Sequence, residues 1–239
     1  MPRLVLLRHG QSTLNLADVF TGWQECDLSP LGVEESVDGG RRLAGAGIEV
    51  DVVHTSLQDR AIHTADLALR EMGRSWVPVR RHWRLNERHY GDLETRNKAQ
   101  TAAVHGAEQV HLWRRSYDVP PPPLGADDPR HPRRMPRYAR LPPDVLPAGE
   151  CLRDVVVRML PYWFDAIAPD LAAGATVLVA AHGNSLRALA KHLLGIADAD
   201  IPGLEIPTGV PWVFDLDGDL VPVAERLLGD PAENAASSF

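Results

Sequence analysis

The chain has 239 residues, 44% hydrophobic and 24% charged, which is enough for one well-cored domain and ordinary for a globular protein in water. Its formal net charge of -7 argues against general nucleic-acid binding. The only two cysteines, Cys26 and Cys151, lie far apart, which excludes a disulfide framework and points to a reducing, cytoplasmic setting.

The first apolar run, Leu4 to Leu7, is too short for a signal peptide or a membrane span and reads as a strand. Ser29 and Pro30 form an N-cap and N1 pair that opens a helix ending near Gly45 to Gly47. Val50 to His54 is a second strand. Leu57, Ala61, Ala65, Ala68, Leu69 and Met72 then make an apolar stripe at helical spacing. A weaker strand follows around Trp76 to Val79. Residues from about Asn86 to Pro147 contain Pro120 to Pro123 and an arginine-rich stretch, Arg130 to Arg140, and read as a long insertion over the active edge of the sheet. Leu152, Val155, Val156, Met159, Leu160, Trp163, Phe164 and Ile167 form a clearer stripe, which Pro161 should kink. Thr176 to Ala181 is the third buried strand, and a helix capped by Asn184 runs to Leu194. Strands alternating with helices imply an α/β fold with a mostly parallel sheet. The tail from Gly229 to Phe239 is small and polar, and mobility is expected there.

The chemistry gathers at strand ends. Arg8, His9 and Gly10 follow the first strand, where open α/β sheets place ligands, and Asn15, Thr21 and Gly22 come in the next loop. His182 and Gly183 follow the last strand and open a helix whose amides face an anion. Thr55 and Ser56 follow the strand Val50 to His54 and lead into a helix that carries Arg60 near its start. Two histidines, two arginines and a helix N-terminus make a cage for a phosphoryl group. An imidazole can attack phosphorus near neutral pH, and arginines can neutralise the phosphoryl oxygens, so no metal is required. An acidic residue must protonate the departing alkoxide.

The segments Leu4 to Gly10, Phe20 to Trp23, Trp83 to Gly91, Trp113 to Pro123, Ala181 to Ala188 and Ile206 to Gly209 resemble the cofactor-dependent phosphoglycerate mutases of the histidine phosphatase superfamily. The resemblance spans roughly residues 3 to 230. It implies a three-layer α/β fold, with a mostly parallel central sheet and helices on both faces, in a single domain over 1–239. His9 would be the phosphorylated nucleophile, with Arg8, Arg60 and His182 holding the transferring group beside Gly183 and Asn184. Glu87 would be the general acid and base. Tyr90, Lys98, Arg114 and Arg115 would bind the substrate's carboxylate and second phosphate, with Arg88 near them and Asn15, Thr21 and Gly22 completing the wall. The implied primer is 2,3-bisphosphoglycerate, with no metal, and the implied assembly is a homodimer or homotetramer.

The chain departs from the family pattern at Leu14, where tryptophan is common, and at Asp59, where a basic residue is typical. Glu94 and Thr95 replace a usual Gln-Gly, which adds negative charge and removes backbone freedom. The tail also lacks lysine. The nearest competing expectation is a phosphatase or mutase of the same superfamily acting on another small phosphorylated metabolite. A non-catalytic binding module would not need His9, His182 and Glu87 together. A nucleic-acid role for Arg130, Arg133, Arg134, Arg137 and Arg140 is disfavoured, because only Tyr138 offers stacking within that run.

Overall fold

The computed structural model describes residues 1–229; the expected mobile tail lies, from residue 230 onward, outside the described residues. Six strands form one sheet in the order β3-β2-β4-β1-β5-β6. They are β1 (Arg3–Arg8), β2 (Val52–Thr55), β3 (Val79–Arg81), β4 (Thr176–Ala181), β5 (Pro211–Leu216) and β6 (Pro222–Leu227). The first four are parallel, whereas β5 runs antiparallel to β1 and β6 antiparallel to β5. The sheet is therefore mostly parallel, as its sequence indicates. The weak strand lies later than expected, at Val79–Arg81, and β5 and β6 carry no expectation from the sequence. In β6, Val223, Glu225 and Leu227 are all exposed, so no two-residue alternation marks the strand.

Alternation along β1 explains the layers. Leu4 and Leu6 face one side, with Val177 and Val179 of β4, and pack on Leu152, Val155 and Met159 of a helix and Leu186 and Leu189 of another. Val5 and Leu7 face the other side with Leu178 and Ala180, against Leu43, Ala65, Ala68 and Leu69. Each fully buried Leu contributes about 1.5–3 kcal/mol. A sheet covered on both faces needs that continuous apolar character.

Eight α-helices are described: α1 (Thr13–Leu16), α2 (Pro30–Gly45), α3 (Asp59–Glu71), α4 (Lys98–His105), α5 (Ala107–Arg115), α6 (Leu152–Tyr162), α7 (Ala168–Ala172) and α8 (Gly183–Leu194). The Ser29 hydroxyl caps α2 by accepting from the Gly32 amide at 3.1 Å. Leu57 lies ahead of α3, outside the stripe assigned to it. Pro161, which has no N–H to give, is followed by a five-residue π turn, Trp163–Ile167, rather than a bend in continuous α-helix. That wider turn rotates the stripe, so Phe164 is 57% exposed while Trp163 and Ile167 are buried. The N-cap of α8 is His182, not Asn184, which is already one residue into the helix.

The insertion contains no strand, in keeping with its sequence; it folds as α4, α5 and short 3-10 turns. Phe20, Leu93, Val110 and Trp113 form one small core there, and Trp23, Trp83 and Tyr138 another. Both clusters include a residue of the loop after α1. That loop is pinned further where the Phe20 amide donates to Arg96 O at 2.9 Å and the Thr95 amide to Phe20 O at 2.8 Å. The insertion is thereby fastened over the C-terminal ends of β1 and β4. Among the described residues, no helix is long and apolar enough to cross a membrane.

Candidate active site

His9 leaves the end of β1 with its amide donating to Ala181 O of β4 at 2.9 Å. The next residue must be glycine, because a Cβ on Gly10 would sit 2.1 Å from Gly32 O of α2. The His9 ring is 3% exposed, and its Nδ1 lies 2.7 Å from Gly10 O. A carbonyl can only accept, so Nδ1 carries the proton and Nε2 presents its lone pair. His182 lies beside it, ring centroids 5.0 Å apart, and its Nε2 meets Ser56 Oγ at 2.8 Å.

Two arginines complete this floor. Arg60, fully buried on α3, donates through Nη2 to Gly22 O at 2.8 Å and through Nη1 to Gln24 O at 3.1 Å, which locks the Thr21–Gln24 loop. Arg8 donates to Ile206 O at 2.8 Å. The Nε atoms of both arginines and Nδ1 of His182 are buried without a hydrogen-bond partner. Buried polar atoms normally find partners. Orphans of this type, converging beside a nucleophile, are a donor set for a phosphoryl group.

The same crowding keeps the imidazoles neutral. Burial pushes His9 well below its ordinary 6.5, and Arg60 and Arg8 push it further against the opposing Gly10 carbonyl. Burial does the same to His182, helped by Arg60 and His9. Burial also lowers Arg8, which Glu87 and Glu205 partly offset.

Glu87 comes from the insertion. Its Oε1 accepts from the Arg88 amide at 2.7 Å and from the Asn184 amide, in the first turn of α8, at 3.1 Å. Gln58 fixes this loop to the phosphate floor: its Oε1 accepts from the Glu87 amide at 2.7 Å and its Nε2 donates to Gly22 O at 2.8 Å. The carboxyl that is pushed upward here is Glu94, at about 7, chiefly by burial. It does not enter the anion cavity, as its position in the chain leads one to expect; it lies beneath the Gly22–Gln24 loop and accepts from Trp23 N, Tyr90 N and Gln24 Nε2. Gly22, at φ 54°, makes room for it, since a Cβ there would meet Glu94 Oε1 at 1.9 Å.

All the predicted site residues except His182 and Arg88 line one cavity: Arg8, His9, Asn15, Thr21, Gly22, Arg60, Glu87, Tyr90, Lys98, Arg114, Arg115, Gly183 and Asn184. His182 lies just under His9. Arg88 is wholly buried behind the wall, where it donates to the Tyr90 hydroxyl at 3.0 Å and to Arg114 O. Burial alone would raise the Tyr90 phenol, but Arg88 and Arg114 outweigh it and the net shift is downward. The same cavity is lined by Lys98, Arg114 and Arg115. Lys98 pairs with Asp18 at 3.0 Å and Arg115 with Glu205 at 2.7 Å.

Sequence reasoning missed Val19, Phe20, Arg187, Glu205 and Ile206, which also line the cavity. Arg187 was within reach: it stands three residues after Asn184 on the same helix and donates to its Oδ1 at 3.2 Å. Burial, then Arg88 and Arg115, bring its guanidinium down to about 10. Glu205 stands just before the Ile206 to Gly209 string, but nothing in that string points to Arg115, and only the fold brings the two together. Among the described residues, no group of His, Cys, Asp and Glu could hold a metal ion.

The fold and site are those of the histidine phosphatase superfamily. The family model "Histidine phosphatase superfamily (branch 1)" matches residues 4–135 and 126–221, and the chain belongs to that superfamily. A mycobacterial glucosyl-3-phosphoglycerate phosphatase complexed with VO3 superposes with a TM-score of 0.70 at 25% identity, covering 95% of this chain and 97% of that one. Curated relatives narrow the placement to the 2,3-bisphosphoglycerate-dependent phosphoglycerate mutases. One from Nitratidesulfovibrio vulgaris is 58% identical over 98% of this chain and 93% of its own length. One from Thermobifida fusca is 63% identical over 93% and 90% respectively, and one from Streptomyces griseus is 61% identical over 92% and 87%.

Proposed function

We propose that the chain interconverts 3-phosphoglycerate and 2-phosphoglycerate through a phosphorylated His9. The observation that carries this reading is a neutral His9, with Nε2 unprotonated, in a cavity that Lys98, Arg114 and Arg115 also line. A phosphatase needs one anion station, whereas a mutase must hold a second anionic group while the first is transferred. The donor set fits 2,3-bisphosphoglycerate, because buried guanidinium atoms await oxygens near His9 and further cations stand opposite. When bound, that primer supplies the phosphoryl group that His9 carries.

Primed His9 gives its phosphoryl group to the free hydroxyl of the bound monophosphoglycerate, the N–P bond breaking as the P–O bond forms. Nε2 then takes a phosphoryl group from the ligand's other oxygen, the N–P bond re-forming as that P–O bond breaks. Arg8, Arg60, His182 and the first amides of α8 take up charge on the phosphoryl oxygens throughout. Glu87 gives its proton to the departing alkoxide and takes one from the attacking hydroxyl in reverse, its Oε1 fixed by two amides. Tyr90, Lys98, Arg114 and Arg115 hold the remaining anionic groups, with Asn15, Thr21 and Gly22 as wall. No step in this scheme needs a metal. We further read the chain as one domain, acting in the cytoplasm as a homodimer or homotetramer on a small phosphorylated acid.

The test is phosphorus NMR of the protein with 3-phosphoglycerate and EDTA, with and without 2,3-bisphosphoglycerate. Primer-dependent 2-phosphoglycerate that disappears in His9→Ala is the expected result. Release of inorganic phosphate alone would sink the proposal.

A further inference from the structure

One carboxylate lies in the cavity with no role in the scheme above. Glu205 lines a pocket otherwise dominated by cations, and its Oε1 is 2.7 Å from Arg115 Nη2. The pair joins the C-terminal end of α5 to the segment after the Ile201–Gly203 turn, so tertiary folding alone creates it. The Glu205 side chain is 63% exposed and the Arg115 side chain 26%. An ion pair this exposed adds little to the fold. Its reach is wider than its partner: the Glu205 charge also acts on Arg8, against the downward push of burial and after the larger effect of Glu87. The neighbouring Ile206 is buried and its carbonyl accepts from Arg8, so the backbone beside Glu205 is anchored while its side chain remains largely exposed.

An anionic ligand end that approaches Arg115 therefore meets a carboxylate already in place. We propose that Glu205 is a specificity-determining residue, a built-in counter-ion that competes with the substrate's distal anionic group for Arg115. It weakens the hold on that group more than the hold on the phosphoryl group at His9, which it reaches only through Arg8. This inference rests on the reading that the far end of the cavity receives a second anionic group.

The chemistry makes the competition selective. A ligand with one anionic centre, seated at His9, does not need Arg115. A ligand with two must displace Glu205 from Arg115, or share the guanidinium with it, against repulsion from the carboxylate. A unit charge a few ångströms from a partly exposed anion changes binding by about three- to tenfold.

The experiment compares wild type, Glu205→Gln and Glu205→Asp by calorimetric titration with inorganic phosphate and with 3-phosphoglycerate at one ionic strength, followed by kinetics of the primed reaction. Glu205→Gln should bind 3-phosphoglycerate about three- to tenfold more tightly, with the phosphate affinity within about twofold of wild type. KM should fall without a gain in kcat, and Glu205→Asp should stay close to wild type in both ligands. Equal tightening of both ligands, unchanged affinities, or weaker 3-phosphoglycerate binding in Glu205→Gln would overturn the assignment. Phosphoglycerate binding without primer-dependent turnover in wild type would count against the mutase reading alone. If no form bound 3-phosphoglycerate, both readings would fall.

Discussion

Glu94→Gln tests the electrostatics beneath the phosphate loop. Glu94 is fully buried and accepts from Trp23 N at 2.8 Å, Tyr90 N at 3.2 Å and Gln24 Nε2 at 2.6 Å. None of these donors carries a charge. His89 Nδ1 lies 3.6 Å from Oε1, but burial pushes that ring down to about 3, so it offers no cation at neutral pH. Burial, opposed by the three donors and by Arg60, brings Glu94 from 4.5 up to about 7. The folded state therefore prefers the protonated form. Glu94's contribution to stability is complete below about 4.5 and is lost as pH rises through about 7, by about 3 kcal/mol at roughly 1.4 kcal/mol per pH unit. Glutamine cannot ionise, so the stability of the variant minus that of wild type should climb by about 2–3 kcal/mol between pH 5 and 8. A pH-independent offset of about 1–2 kcal/mol will lower the whole curve, because the new amide faces Gln24 Nε2, donor against donor. Urea unfolding of both proteins at pH 5, 6, 7 and 8 measures this. His9 and His182 are shifted downward and destabilise the fold as pH falls below 6.5, but they are common to both proteins and cancel in the difference. A difference that stays flat with pH would refute the reasoning.

Gln58→Met keeps the volume and removes both bonds that tie the Glu87 amide to Gly22 O. It should cost about 2–3 kcal/mol in urea unfolding and lower kcat more than it raises KM; an unchanged kcat would show that Gln58 does not hold the acid in register. Thr95 sits at φ 71°, unfavourable for a β-branched residue, while its amide bonds Phe20 O. Thr95→Gly keeps that bond and should stabilise by about 0.5–1 kcal/mol once the unfolded-state entropy of glycine is set against the relief of strain. A melting temperature below wild type would contradict it.

The parallel strands and the helices between them were legible because each is a continuous apolar run or a helical stripe with a recognisable start, as at Ser29 and Pro30. The β5–β6 hairpin was not, since β6 is largely exposed. The boundary at His182 was missed because a histidine is an unusual cap; its side chain here is taken by Ser56. The cavity's residue list was readable where short strings carry it, as in Trp83 to Gly91 and Ala181 to Ala188. What strings cannot convey is which side of a wall a residue occupies. Arg88 and Tyr90 are two apart, yet Arg88 is behind the wall and Tyr90 lines the cavity. Glu94 illustrates the same point. Its charge reads as a threat to an anion site, but the left-handed Gly22 lets it tuck beneath the loop, where burial keeps it protonated over part of the neutral range.

The cations of the cavity differ in how they are held, and the difference bears on how a bound ligand can turn. Near His9, Arg8 and Arg60 are tied to the carbonyls of Ile206, Gly22 and Gln24. Carbonyls orient a guanidinium without cancelling its charge, so most of the field remains for the phosphoryl oxygens, with Glu87 and Glu205 acting on Arg8 from a distance. At the far end, Lys98 and Arg115 are paired with carboxylates, Asp18 and Glu205, each more than half exposed. Such pairs exchange partners at little cost in free energy. The proximal station is therefore rigid and undercompensated, and the distal one mobile and already compensated. A ligand with an anion at each end is gripped more firmly at His9 than at Arg115. The loosely held group is therefore the first to let go when the ligand turns to bring its other phosphoryl group to Nε2, the motion that lets His9 take a phosphoryl group from a different oxygen.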